Sequence, residues 1–149
     1  MLLFKEIDSH FTKKNAYKVL ELYRRYIRIA GVEYAPKVTA TYSFEPKSFN
    51  GKVNQATETQ VIQRVQAQNE ADAIIKAINA IIDPYTRQVL IEKYCKWHIK
   101  SDKAIYMDLG YSESEFYRIL ERGAIEFAEN YKSGKLLVFR KFGRHLQDN

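Results

Sequence analysis

Cysteine, proline and glycine are all scarce in this chain. One Cys in 149 residues cannot close an internal disulfide, so nothing in the fold calls for an oxidising compartment. Three Pro and six Gly exclude collagen-like and linker-like composition. No apolar run approaches the ~18 residues of a membrane-spanning helix. The start, Met1-Leu2-Leu3-Phe4-Lys5-Glu6, meets charge too soon for a secretory signal. The expectation is a soluble protein of the cytoplasm with no membrane partner. Catalytic signatures are missing too: there is no Gly-rich phosphate loop, nucleophile elbow or metalloprotease His-Glu pair. Cys95 and His98 have the helical spacing of two metal ligands, but a structural zinc site needs four, and His10 and His145 are far away in sequence. Asp102 with Asp108, and Glu113 with Glu115, read as acids at helix starts, where the helix dipole favours them. No metal, no cofactor and no enzymatic activity are expected.

The composition that remains is ordinary for a globular protein, 46% hydrophobic and 28% charged. Lys and Arg outnumber Asp and Glu by 24 to 18, and the surplus is uneven. Residues 1–30 carry seven basic and three acidic groups, residues 84–100 four and one, and residues 101–149 eight of each. In the tail, Lys132, Lys135, Arg140, Lys141 and Arg144 face only Asp148. Such a surplus permits a nucleic-acid partner without requiring one.

Periodicity is helical throughout. Ser9 or Thr12 is placed to cap a helix to about Ala30, with Ala16, Val19, Leu20, Tyr23, Ile27 and Ala30 as its apolar stripe and Gly31 as its end. Residues 31–57 contain Gly31, Pro36, Pro46 and Gly51, and within them Val38–Phe44 reads as a short strand or extended arm. Thr57 and Gln60 form a capping box for a long helix to about Ile82, polar at first and then apolar through Ala71, Ile74, Ile75, Ile78, Ile81 and Ile82. Asp83-Pro84 restarts the chain into a helix to about Trp97, offering Tyr85, Val89, Leu90, Tyr94 and Trp97 to a core.

The most informative stretch follows. Ser101 caps a short helix at about 102–109, Gly110 ends it, and Ser112 with Glu115 caps a second helix to about Lys132. This is the pattern of a helix-turn-helix, whose second helix enters the DNA major groove. Ile105, Leu109, Gly110, Tyr111, Phe116 and Ile119 are its expected scaffold. Tyr106 departs from the generic pattern, because the helices approach closely there and a small residue is usual. The first turn of the second helix offers Glu113, Ser114, Tyr117 and Arg118 to base edges; Arg matches guanine O6 and N7. Lys100, Ser101, Lys103, Ser112 and Arg122 are the expected phosphate contacts. Most of the many Tyr and Phe fall on apolar stripes; Tyr117 does not.

Residues 84–128 resemble region four of bacterial sigma factors, through Pro84–Leu90 and Leu109–Phe116. More closely, residues 1–132 resemble the ArpU family of phage transcriptional regulators. The shared features are Leu22-Tyr23-Arg24, Thr39–Ser43, Tyr94, Ile105-Tyr106, Leu109–Ser112, Phe116-Tyr117-Arg118 and Ala124–Tyr131. Tyr106 belongs to that likeness. The resemblance implies an activator of late phage genes for packaging and lysis, encoded by a phage or prophage and acting in the bacterial cytoplasm.

The expected fold is therefore all-α, a helical bundle with a C-terminal helix-turn-helix and an N-terminal helix plus extended arm. Residues 1–57 form the N-terminal unit, 58–132 the DNA-binding domain with its motif at 102–132, and 133–149 a basic tail. The expected partners are double-stranded DNA at a promoter or operator, host RNA polymerase, and a second copy. Val19, Tyr23, Tyr26 and Ile27 of the first helix are the expected dimer contacts, against the alternative that this stripe packs on residues 71–82 of its own chain. Two other functions share these features: a packaging module resembling a small terminase subunit, and a helical protein-interaction adaptor that does not bind DNA.

Overall fold

Asp8 starts the first helix. Its Oδ1 accepts from the Phe11 N–H at 3.2 Å, and α1 runs Ser9–Glu21. Neither Ser9 nor Thr12 is the cap. Thr12 is buried, and its hydroxyl oxygen accepts from the Val138 N–H at 3.0 Å. A computed structural model describes residues 4–31 and 57–141 of the chain. The arm expected at 38–44 and the tail beyond residue 141 lie outside the described residues.

The first helix is not continuous to Ala30. It breaks at Leu22, and α2 spans Tyr23–Ala30, ended by Gly31 at φ 94°. The break lets the two halves pack differently, α1 against the last long helix and α2 against α3. Tyr23 is only 1% exposed, and Val19, Tyr26 and Ile27 are half-buried against the same core. The stripe offered to a second copy therefore packs within its own chain.

α3 spans Glu58–Asn79, and both halves of its Thr57/Gln60 capping box are present. It begins exposed, through Gln66, and enters the core with Ala67, Ala71, Ile74, Ile75 and Ile78. Because it stops at Asn79, Ile82 lies past the helical register and is 93% exposed, whereas Ile81 is buried. α4 spans Pro84–Leu90, capped by Asp83, and widens into a π-helical turn at Ile91–Cys95. Ile91, Tyr94 and Cys95 are buried, while Tyr85 on the first turn and Trp97 beyond the end, both assigned to the core by period, are exposed.

α5 spans Asp102–Leu109 and α6 spans Glu113–Asn130, followed by a short 3₁₀ turn at Tyr131–Ser133. The chain then returns along α1. The Asp8 N–H donates to the Val138 carbonyl at 2.7 Å and the Arg140 N–H to the Glu6 carbonyl at 2.8 Å, and Ile7 and Phe139 form an antiparallel bridge. The described part of the basic tail is thus folded against α1. The architecture is all-α, with one core that Ala16, Leu20 and Tyr23 share with Ile74, Ile78, Leu90, Phe116 and Phe127. That core is continuous across the boundary drawn at residue 57.

Candidate nucleic-acid interface

Gly110 closes α5 in the left-handed conformation, φ 77° and ψ 23°. Its N–H donates to the Met107 carbonyl at 3.3 Å, and the Tyr111 N–H reaches back to the Tyr106 carbonyl at 2.8 Å. This is the Schellman arrangement, which satisfies carbonyls that a helix end leaves open and favours glycine for its backbone. Ser112 then starts α6. Its Oγ accepts from the Glu115 N–H at 3.2 Å, and the Glu115 carboxylate accepts from the Ser112 N–H at 3.4 Å. Two helices are therefore joined by a tight turn whose ends are both capped.

Beneath the turn, Ile105 and Phe116 are fully buried, and Leu109, Tyr111 and Ile119 pack against the core. Tyr106 is half-buried and packs its ring on Phe116, centroids 5.7 Å apart and tilted by 50°. The bulky residue at the expected close approach is accommodated along the edge of the motif. On the other side of α6, a Cβ on Gly123 would meet Thr86 Cγ2 at 2.9 Å and Leu90 at 3.4 Å, so glycine is what allows α4 and α6 to touch.

This scaffold leaves the start of α6 facing solvent. Glu113, Ser114 and Arg118 are exposed, as is Lys103 on α5. Among the described residues, Arg118 and Lys103 form no ion pair. Lys100 pairs with Asp108 at 3.1 Å, and Arg122 with Asp83 at 3.2 Å. Both pairs are exposed, so each contributes little and is readily exchanged for another anion. Ser101 and Ser112 serve as caps, with Ser101 Oγ accepting from the Ala104 N–H at 3.2 Å. Tyr117 is 39% exposed, but its hydroxyl donates to Asp102 Oδ2 at 2.9 Å, which the sequence did not indicate. That bond pushes the Tyr117 phenol above its ordinary range.

Asp83 is the cap that the sequence placed before Pro84, but the longer-range ties of three groups, Asp102, Arg24 and Asp83, were not legible. Asp102, read only as a helix-start acid, also accepts from Lys93 Nζ at 2.5 Å. The Arg24 guanidinium donates to the Lys96 carbonyl at 2.7 Å and the Lys93 carbonyl at 2.9 Å, closing the end of the α4 segment. Asp83 caps α4 and is held below the usual carboxylate range by the Thr86 hydroxyl first, then the Tyr85 N–H and Arg122. The helical resemblance containing Leu22-Tyr23-Arg24 was the one signal pointing to Arg24. Cys95 is buried, which pushes its thiol up to about 12 and leaves it inert as a nucleophile. Among the described residues, no group of three or more His, Cys, Asp and Glu side chains is placed to hold a metal ion, and no helix is long and apolar enough to cross a membrane.

No family model and no solved structure matches the chain. Curated relatives do. A protein of Streptococcus phage O1205, named for autolysin regulation as ArpU, is 33% identical over 139 residues, covering 93% of this chain and all of the relative. A protein of the same name from Enterococcus hirae is 32% identical over 140 residues, 94% of this chain and all of its own length. A phage-related protein of Listeria innocua is 31% identical over 131 residues, 85% of this chain and 91% of the relative. With identity at this level spread over nearly the whole of both chains, rather than confined to the α5–α6 pair, this chain belongs to the ArpU family of phage-associated regulators.

Proposed function

We propose that this chain is a sequence-specific duplex-DNA-binding protein that regulates transcription, with α5 and α6 as its helix-turn-helix. The observation that carries the reading is the start of α6. It is held by a left-handed Gly110 turn and the Ser112 capping box over a buried Phe116, and it presents Glu113, Ser114 and Arg118 to solvent. A helix fixed from below and bare above is what insertion into a major groove requires. Arg118 reads a guanine, Glu113 and Ser114 meet neighbouring base edges, and Lys103, Lys100, Ser101, Ser112 and Arg122 position the unit on phosphates. The name shared by two relatives, regulation of an autolysin, fits control of phage lysis genes. Two copies on half-sites about 34 Å apart would supply the affinity one motif lacks. Tyr23 itself is committed to the core of its own chain, so any such contact would rest on residues other than it.

An electrophoretic shift against duplex DNA over a salt series tests the proposal. Specific binding is expected to weaken by about 1–3 kcal/mol in Arg118→Ala, with relaxed selection at one base pair. Lys103→Ala is expected to weaken all sequences alike and flatten the salt slope by about one. Binding confined to a packaging site would favour the terminase-like reading. No binding at low salt would favour the adaptor.

A further inference from the structure

We infer that Tyr117 sets the pose of α6 instead of reading a base, and that it does so through Asp102; this rests on the duplex-DNA reading above. Asp102 is the first residue of α5, and both of its carboxylate oxygens are occupied. Oδ2 accepts from the Tyr117 hydroxyl at 2.9 Å and Oδ1 from Lys93 Nζ at 2.5 Å. The Tyr117 ring also stands edge-on to Phe116, centroids 5.2 Å apart at 73°, and Phe116 is fully buried. The ring is thus held at its edge by the core and at its oxygen by α5, and cannot swing toward a groove without losing one of them.

The strut extends further. Lys93 lies in the π-helical turn, and its carbonyl accepts from Arg24 of α2 at 2.9 Å. A continuous polar path therefore runs from α2, through the end of the α4 segment and the start of α5, to α6. The charges favour this role. A bare carboxylate at the start of α5 would repel phosphate, and Lys93 neutralises it. Tyr117 differs in this from its neighbour Arg118, which is exposed and has no ion pair among the described residues. Within the exposed run at the start of α6, reading falls to Glu113, Ser114 and Arg118, and aim falls to Tyr117.

The test compares Tyr117→Phe, Asp102→Ala, the double variant and Arg118→Ala in the full chain. The readouts are melting temperature, salt slope and base preference selected from a randomised duplex pool. Tyr117→Phe removes one oxygen and keeps the ring against Phe116, so it is expected to stay cooperatively folded with only a small fall in melting temperature. It is expected to lose roughly tenfold in the ratio of selected to random DNA affinity, because α6 is then less firmly pre-organised in the pose that meets the bases. The loss should spread over every base position the motif selects, with an unchanged salt slope, and the double variant should be no worse than the poorer single variant. Arg118→Ala should lose preference at one position. The strut is overturned if Tyr117→Phe selects DNA as the wild type does, or if it loses one position while Asp102→Ala loses none. If the wild type binds no duplex DNA, the DNA reading falls and takes this role with it.

Discussion

At the residue scale, two glycines do different work. Gly110 has nothing within 4 Å of where a Cβ would stand, so its requirement is the backbone at φ 77°. Gly110→Ala is expected to destabilise by about 1–2 kcal/mol through the left-handed conformation alone, with Gly110→Asn milder, as thermal melting would show. Gly123 has ordinary helical backbone but meets Thr86, whose buried side chain is fixed by its bond to Asp83 at 2.8 Å. Gly123→Ala is expected to cost about 1–3 kcal/mol by overpacking, relieved in a Gly123→Ala, Thr86→Ser double variant that removes the clashing methyl. Gly110 was legible in the sequence because a helix stop followed by a capping box is a local signal. The role of Gly123 was not, because the residue it touches lies on another helix. Titration belongs to this scale as well. Lys132 first, and then Tyr131, hold the Glu70 carboxyl below its ordinary range against an opposing burial effect, and Asp83 is likewise depressed. A carboxyl with a lowered folded pKa adds stability above its unfolded value, near 4, and loses it as pH falls through the folded value. Melting temperatures measured from neutral pH downward should therefore decline below about pH 4, and Glu70→Gln should decline less steeply there. An acid limb unchanged in Glu70→Gln would show that this tie contributes nothing.

At the element scale, the helix ends were easier to read than the faces. The capping boxes at Thr57 and Ser112, the Asp83-Pro84 restart and the Gly31 and Gly110 stops all depend on bonds within a few residues, and each is present. The inward faces depend on where each helix stops and on what packs against it, which lies outside the local sequence. Tyr85 stands on the solvent side of the first turn of α4, Trp97 lies past Cys95 where the helix has already ended, and the break at Leu22 turns one expected helix into two. The end of the π segment is closed by Arg24, a long-range contact that periodicity does not encode. Arg24→Met would leave two carbonyls without that donor and is expected to destabilise by about 1–3 kcal/mol. Hydrogen exchange at residues 91–100 should locate the loss there, and Arg24→Lys should recover part of it. An exchange pattern identical to the wild type would remove Arg24 from this role.

At the scale of the whole molecule, the N-terminal helices are part of the core on which α6 rests. Ala16, Leu20 and Tyr23 belong to the same buried cluster as Phe116 and Phe127, and residues 136–140 return to bond with α1. Removing residues 1–57 is expected to abolish cooperative melting, not simply to yield a monomer. The sequence displayed the apolar stripe of the first helix plainly, but a stripe that packs on its own chain and one that packs on another copy look alike until the tertiary fold is known. The start of α6 was legible in advance, and its exposed residues stand where the turn and the capping box put them. The measurement that bears most directly on the account is selection of the full chain on a randomised duplex pool at low salt, repeated with Arg118→Ala. The account predicts enrichment of a short motif by the wild type, with one base position released in the variant. No enrichment by the wild type, or the same enriched motif from both proteins, would contradict it.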